Sequence, residues 1–296
     1  MTVGGTKAGA RLRRALMFVA SLVLVASAWE LYKLVGPEHG GRVLGARILP
    51  RTENSSMPHV WDMLARFRRP EVRGSSRTVG AAVAAGAWYT MRLALAGFAL
   101  GCVIGLVLAI VMVRFRLAAA ALLPYVVLSQ TVPLIALAPQ VVSWSQHLTL
   151  LGAKWQPWMS VSTIAAYLAF FPVAVGALRG LQSPDENAVE LMDSYAASWR
   201  QTLWKVRFPA AISHLIPALK LAGVASVVGA IVAEISTGRR GGIGRLILEY
   251  SREATSDPAK VFTAVIAAAV IGLVMTGLVV AFDVSLSRHR PREAAL

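Results

Sequence analysis

The stretch Ser183–Pro209, SPDENAVELMDSYAASWRQTLWKVRFP, is the longest polar stretch in the second half of the chain and lies between two apolar segments. It contains two capping boxes, S-P-D-E starting at Ser183 and S-W-R-Q starting at Ser198. In each box the Ser oxygen accepts from a free backbone N–H and the acidic or amide side chain reaches back to the cap. Pro209 disfavours helix just before it. The stretch therefore predicts a helix–turn–helix that protrudes from a membrane.

The amino-acid composition predicts a membrane protein. The hydrophobic fraction is 56% and the charged fraction 15%, with a mean hydropathy of +0.60. Several charge-free apolar runs reach the ~20 residues that cross a bilayer as a helix, and they do not alternate as barrel strands would. We expect an all-α polytopic membrane helix bundle in one domain.

Charge and cysteine content narrow the functional classes. A net charge of +15 would indicate nucleic-acid binding in a soluble protein. Here the basic residues lie mostly between apolar segments and at the termini, which favours lipid head groups as partners and argues against nucleic acid. Cys102 is the only cysteine and the five His are scattered. A disulfide framework and a cysteine metal site within one chain are therefore excluded.

The apolar segments predict six spans with both termini in the cytoplasm, because basic residues flank the predicted inner ends. The first could instead be a signal peptide cleaved after Ala26-Ser27-Ala28, but its apolar run continues to Val35, which favours a retained span. The predicted layout is a cytoplasmic N-terminus 1–14, a first span 15–35, an outer connection 36–89, a five-span core 90–286 and a cytoplasmic tail 287–296. The core spans are predicted at Leu93–Val113, Leu117–Trp144, Trp158–Leu178, Ala210–Ile235 and Val261–Phe282.

The outer connection contains four prolines and a helical pattern. Between Pro58 and Arg69, Val60, Met63, Leu64 and Phe67 recur at helical spacing, which predicts a short amphipathic helix on the membrane surface. This connection carries eight Arg and four acidic residues. That excess of basic residues conflicts with the positive-inside rule.

Two spans have distinctive patterns. Gly97, Gly101 and Gly105 share one helix face, which allows close helix approach in lipid and indicates packing within the chain more than a dimer seam. The third span is interrupted by a polar triplet, 129–131, and by Pro133. Polar groups at this depth indicate a pathway-lining helix. A kinked helix whose hydroxyls bond back to its own carbonyls is the alternative.

Residues 236–259 contain Gly238, Gly241, Gly242 and Gly244. The pattern GxxxxGK[ST] and a preceding strand are both absent, so this is no phosphate loop. We expect a flexible outer loop or a re-entrant turn.

Several functional classes lack their required residues. A membrane hydrolase needs a nucleophile with a base, or metal ligands, at membrane depth, and no such set is present. Ion-coupled carriers usually have buried acidic residues or an inverted repeat, and the sequence shows neither. Pores need a selectivity filter, and no stretch resembles one. What remains is a bundle with a protruding polar segment, which is either a handle for a soluble partner or a solvated loop.

The 183–209 segment resembles the EAA motif, the cytoplasmic coupling loop of permease subunits of bacterial ABC importers. That pattern is Glu-Ala-Ala, three residues, a Gly and, thirteen residues later, a Pro. In this chain Glu190-Leu191-Met192 stands at the Glu-Ala-Ala positions, Ala196 at the Gly and Pro209 at the Pro. Because Ala adopts a left-handed turn less readily than Gly, we expect a different backbone shape at this turn.

The resemblance covers about Leu49 to Arg290 and indicates the nitrate/sulfonate/taurine branch, which includes permeases for pyrimidine vitamin precursors and riboflavin. Ala96–Gly101, Thr131–Pro139 and Ala233-Glu234 are similar to stretches of that branch. It implies a type I ABC importer permease, not an enzyme, in the inner membrane. The chain would pair with a second copy, dock on two ATPase subunits and receive a small anion, sulfonate or vitamin precursor from an extracytoplasmic solute-binding protein.

ATP and Mg would bind the partner ATPase, leaving no cofactor in this chain, which has no Walker motif. An ATP-independent secondary transporter or channel is the alternative function. The resemblance assigns ATPase coupling to Glu190, Asp193, Ala196, Ser198, Arg200 and Pro209. It assigns the translocation pathway to Ser129, Gln130, Thr131 and Glu234.

Overall fold

The computed structural model describes residues 7–43, 46–150, 152–238 and 240–287. This part of the chain contains eleven α-helices and two short antiparallel β-ladders. Residues 1–6 and residues 288–296, which make up all but the first residue of the predicted tail 287–296, lie outside the described residues. The helices are α1 Lys7–Val35, α2 Val60–Arg66, α3 Val79–Arg114, α4 Arg116–Leu128, α5 Leu134–Ser145, α6 Pro157–Leu181, α7 Glu186–Ser194, α8 Trp199–Thr202, α9 Phe208–Thr237, α10 Ile243–Arg252 and α11 Pro258–Ser287. The strands are β1 Gly41–Val43, β2 Ala46–Leu49, β3 Thr149–Leu150 and β4 Ala153–Lys154.

Five helical segments are long and apolar enough to cross a membrane, and a bent pair gives a sixth. The pair is α4 with its short 3₁₀ turn and α5, and the two parts are bent by 103°. The predicted interruption of the third span is therefore confirmed. The multi-pass helical bundle is confirmed as well, although α3 begins fourteen residues before the predicted start of the second span.

The described residues 7–43, 46–81 and 249–263 form one compact unit. The predicted helix in the outer connection is present as α2, which buries Met63. Arg66 Nε lies 2.6 Å from Asp257 Oδ2, and the Tyr250 hydroxyl donates to Glu71 Oε1 at 2.9 Å. Burial and the neighbouring Glu71 carboxylate raise the pKa of Tyr250, so this hydroxyl remains a donor at physiological pH.

The described residues 82–150, 152–238, 240–248 and 264–287 form the second unit. In this unit the glycine face of α3 packs on α6. A Cβ added at Gly101 would lie 2.8 Å from Ala169 Cβ, and one added at Gly105 would lie 2.6 Å from the Phe170 carbonyl oxygen. The prediction of packing within the chain is confirmed. Without side chains on this face the two helix backbones approach closely, as small residues allow in lipid.

The same contacts give the directions of the spans. Residue numbers rise together along α3 and α6, since Gly97 meets Ala165 and Gly101 meets Ala169, so these helices are parallel. The chain between Arg114 and Pro157 must therefore return about 40 Å, the length of the part of α3 that lies beside α6. The bent pair α4–α5 lies within that return, as one broken span would.

The helix α9 runs antiparallel to α6. Gly176 meets Ala218 and Gly180 meets Ala211, so numbers rise on one helix as they fall on the other. The segment 183–209 joins these two spans and therefore lies at one membrane face. That position agrees with the predicted protruding segment.

The flexible loop predicted at 236–259 is wrong for Ile243–Arg252, which form α10, and the alternative of a re-entrant turn stays a prediction. The glycines in this stretch lower its helix propensity, so the sequence predicted a loop instead of a helix. In the structure Gly238 ends α9 in the left-handed conformation at φ 64°. A Cβ at Gly242 would fall on the Glu234 carboxylate, so this turn needs glycine for close packing.

Candidate functional site

The segment 183–209 forms two helices, α7 and α8, joined by a tight turn. The capping box at Ser198 is confirmed, with Gln201 Oε1 accepting from the Ser198 N–H at 2.7 Å. The cap predicted at Ser183 is wrong. Asp185 caps α7 by accepting from the Asn187 N–H at 3.2 Å. Because α6 extends to Leu181, the Ser183 hydroxyl instead donates to a carbonyl of that helix.

The turn between α7 and α8 is a Schellman motif with Ala in the position usually held by Gly. Ala196 has φ 49° and is the one non-glycine residue with positive φ among the described residues. The Ala197 N–H donates to Met192 O at 3.0 Å and the Ala196 N–H to Asp193 O at 2.9 Å. The expected change of backbone shape is therefore wrong, since Ala196 adopts the left-handed conformation. Hydrogen bonds on both sides hold it there.

Replacing Ala196 by glycine is expected to stabilise this turn by about 1 kcal/mol, because a Cβ at positive φ is strained. Hydrogen exchange of the Ala197 N–H should slow by roughly fivefold. Ala197→Gly is the control, since its backbone lies outside the positive-φ region, and it should not slow exchange. Faster exchange in Ala196→Gly would show that the turn is not strained.

All six residues predicted for coupling are exposed, namely Glu190, Asp193, Ala196, Ser198, Arg200 and Pro209. Two apolar neighbours that were not among the six predicted residues, Leu191 and Tyr195, are 57% and 76% exposed. Their spacing of four places them on one face of α7, and that spacing was the available signal. The exposed hairpin 185–201 thus presents carboxylates beside two large apolar side chains, a combination typical of protein interfaces.

The base of the hairpin is fixed to the spans. Trp199 and Leu203 pack against the cluster formed by Met112 of α3 and Leu178 of α6, and the Arg114 guanidinium lies 5.4 Å from the centre of the Trp199 ring. These contacts are apolar and cation–π in character. The exposed end of the hairpin is therefore anchored to the ends of α3 and α6.

The helix break expected before Pro209 is wrong. Residues Leu203–Arg207 form a π turn that connects α8 directly to α9, and the Phe208 N–H donates to Leu203 O, five residues back. A π turn widens the helix, so the missing proline N–H and the ring clash are accommodated. The helix α8, the π turn and α9 therefore form one continuous helical path.

The predicted pathway residues 129–131 form the 3₁₀ turn at the break in the third span. The Ser129 hydroxyl donates to Val126 O at 2.7 Å and the Thr131 hydroxyl to Leu128 O at 2.8 Å. These bonds from hydroxyls to carbonyls of the same helix are the ones expected for a kinked helix, the alternative to a pathway-lining helix. Gln130 and Thr131 are nevertheless exposed, so both predictions describe part of this turn and a pathway role stays a prediction.

Glu234, the fourth predicted pathway residue, lies elsewhere and is fully buried. The Thr90 hydroxyl donates to its carboxylate at 2.9 Å, and the Gly244 N–H donates to it at 2.8 Å. The Ile243 N–H donates to Thr90 Oγ1 at 2.9 Å. Glu234 and Thr90 thus satisfy free N–H groups at the start of α10, where a negative charge is favourable.

Comparison with known proteins agrees with this architecture. Residues 101–288, more than half of the chain, match the family of binding-protein-dependent transport system inner membrane components. The chain belongs to this family. It is an ABC transporter permease subunit. The matched region of the permease contains the broken span, the hairpin and Glu234, whereas α1 and α2 precede it.

Two curated relatives of the permease are informative. It is 31% identical over 145 residues to the formylaminopyrimidine transport permease protein ThiX of Halalkalibacterium halodurans, covering 49% of this chain and 54% of the relative. The match thus spans about half the length of that relative. The permease is also 30% identical over 194 residues to a probable ABC transporter permease protein of Haemophilus influenzae, covering 66% of this chain and 72% of the relative.

A solved structure supports the fold of the permease. A crystal structure of an amino acid ABC transporter with histidines superposes with a TM-score of 0.53, covering 71% of this chain and 95% of the solved chain. The sequence identity is 20%, so this likeness establishes the fold alone.

Proposed function

We propose that this permease subunit forms the solute pathway of an ATP-driven importer and that the exposed hairpin 185–201 docks on a separate ATPase subunit. The proposal places the hairpin and both termini in the cytoplasm. A second copy of the chain would complete the pathway, and an extracytoplasmic solute-binding protein would deliver the solute. The ATPase subunits would bind ATP and Mg, and the permease itself would hydrolyse nothing.

The exposed face of α7 carries the docking proposal. Leu191 and Tyr195 expose apolar surface that a partner would bury, and Glu190 and Asp193 lie beside them on the same helix. Large aromatic side chains at the centre of such a patch usually dominate binding energy, with polar residues around them. A merely solvated loop would not need two large apolar side chains at its tip.

The anchored base gives the hairpin its mechanical role. The Arg207 guanidinium donates to Leu181 O at 3.0 Å, and Trp199 and Leu203 pack on the ends of α3 and α6. A displacement of α7 by the ATPase would therefore move these helix ends. Because the π turn joins α8 to α9 without a loop, the displacement would also reach α9.

The relatives and the resemblance suggest the solute. A relative named for formylaminopyrimidine transport supports a vitamin precursor as the substrate, and the nitrate/sulfonate/taurine-like motifs support a small sulfonate. Gln130 and Thr131 offer an amide and a hydroxyl, both of which can bind either class. The two probes for transport are therefore radiolabelled formylaminopyrimidine and a radiolabelled alkanesulfonate.

Reconstitution tests the proposed function. Neighbouring reading frames that encode an ATPase with a Walker motif and a secreted binding protein would supply the partners. Liposomes containing the permease with these partners are expected to accumulate one of the two probes only when ATP is supplied. The permease alone should accumulate neither. If the permease alone carries a probe down its gradient, a channel or a secondary carrier is the correct function.

Replacing Glu190 by alanine is expected to lower ATP-driven uptake about tenfold, which corresponds to ~1.4 kcal/mol of coupling free energy. The carboxylate is exposed at the proposed contact, so its loss should leave folding intact and weaken docking. Uptake and ATP hydrolysis should be measured on the same reconstituted complex. Tyr195→Ala should have an effect at least as large, because it removes the apolar anchor.

Glu38→Ala is the matched control, since Glu38 is an exposed carboxylate in the segment predicted to lie on the opposite side of the membrane. This variant should transport at the wild-type rate. If Glu190→Ala also transports and couples like the wild type, the docking contact does not involve Glu190.

A further inference from the structure

The break in the third span removes the usual helical donor from the backbone carbonyl of Ser129. In an α-helix the carbonyl of residue 129 would accept from the N–H of residue 133, which here is Pro133 and has none. The nearest backbone substitute, the Val132 N–H, lies 3.5 Å from Ser129 O, at the limit of a hydrogen bond. An unsatisfied carbonyl at membrane depth is costly unless another protein group binds it.

The donor comes from another span. The hydroxyl of Tyr167 on α6 donates to Ser129 O. Tyr167 is half-buried and its ring lies 5.9 Å from that of Phe170. Its helix is held on two sides, because α3 packs on it through Gly97 and α9 through Gly229. The hydroxyl therefore projects from a fixed support.

The carbonyls around the break divide into two kinds. Val126 O and Leu128 O accept from hydroxyls of the turn itself, those of Ser129 and Thr131. Such local bonds move with the turn and do not fix its position. The bond from Tyr167 joins residues 38 apart in sequence and ties the turn to a neighbouring span.

We propose that Tyr167 is a positioning residue for transport: its hydroxyl pins the break of the third span to α6 and so fixes where Gln130 and Thr131 are presented. The inference rests on the proposed function, in which these two exposed side chains line the pathway. It assigns a role to a tyrosine that neither the sequence motifs nor the family resemblance singles out. Removing the hydroxyl should loosen the turn while the surrounding packing stays intact.

Tyr167→Phe tests the pin on the purified permease by hydrogen-exchange mass spectrometry. Exchange of the peptide 128–137 is expected to quicken about fivefold, with no change in the thermal unfolding midpoint beyond that of the control. Tyr125→Phe is the matched control, since Tyr125 lies on the same broken span and is 71% exposed. Equal exchange in the two variants would show that the Tyr167 hydroxyl does not hold the turn in place.

A second variant separates the hydrogen bond from packing. Pro133→Ala restores a backbone N–H at residue 133 and removes the proline that favours the extended backbone at Val132. We expect the helix to continue through Val132 in that variant and to give Ser129 O a second donor, so in that background Tyr167→Phe should quicken exchange by less than twofold. If the two substitutions act additively, Tyr167 acts through packing and the pin is overturned.

Uptake by the full complex tests the positioning role. Tyr167→Phe is expected to lower the number of probe molecules imported per ATP about fivefold while basal ATP hydrolysis stays at the wild-type rate. Wild-type import per ATP by the variant would overturn the role in transport. A wild-type complex that imports no probe would instead refute the proposed function, and the exchange result, obtained without the ATPase, distinguishes the two failures.

Discussion

Replacing Gly101 by alanine is expected to lower the free energy of unfolding of the permease by about 2 kcal/mol, because it overpacks the contact between α3 and α6. The new Cβ would lie 2.8 Å from Ala169 Cβ and 2.9 Å from the Ala166 carbonyl oxygen. A backbone carbonyl cannot rotate away as a side chain can. The two helices would have to separate, and the better helix propensity of alanine, up to ~1 kcal/mol, would offset only part of that cost.

Gly277→Ala is the matched control. A Cβ added there meets nothing within 4 Å, so the propensity gain should appear alone and stabilise the permease by about 0.5–1 kcal/mol. Thermal unfolding in one detergent compares the two variants with the wild type. Midpoints that shift in the same direction would contradict the close α3–α6 contact.

Features that depend on neighbouring residues could be predicted from the sequence. The four-residue spacing of Gly97, Gly101 and Gly105 gives one helix face, and the structure packs that face on α6. The capping box at Ser198 needs only residues three positions apart. Pro133 and the polar triplet before it indicate a break, because a missing N–H has a local consequence.

Features that depend on residues distant in the chain could not be predicted from the sequence. Thr90 and Glu234 are 144 residues apart, and the helix that they cap begins in a stretch whose glycines indicate a loop. Tyr167 is one aromatic residue in an apolar span until Ser129 O is known to lie beside its hydroxyl. The bend of 103° likewise depends on packing, since a proline gives the position of a break and not its angle.

Ala196 shows why a correct position can accompany a wrong conformation. The EAA spacing places Ala196 where a left-handed glycine is usual, and intrinsic preference argues against that conformation for alanine. The structure keeps it at φ 49°. The two backbone bonds of the Schellman motif and the caps on both helices together exceed the strain of about 1 kcal/mol, a balance that a single-residue preference omits.

Replacing Thr90 by valine is expected to lower the free energy of unfolding by about 3 kcal/mol. Valine keeps the shape of threonine and removes the hydroxyl, which leaves the Ile243 N–H without its acceptor and the Glu234 carboxylate without one of its donors. Each buried group left unpaired costs ~1–3 kcal/mol, and all three residues are buried. The N-terminus of α10 should loosen first.

Two controls isolate the hydroxyl at position 90. Thr90→Ser keeps it and should cost no more than about 1 kcal/mol for the lost methyl group. Thr276→Val removes a hydroxyl that bonds a carbonyl of its own helix and should change stability by less than about 1 kcal/mol. Thermal unfolding and hydrogen exchange of the peptide 243–252 measure both effects. If Thr90→Val and Thr90→Ser behave alike, the hydroxyl does not hold α10, and Glu234 is fixed by the Gly244 N–H and by packing alone.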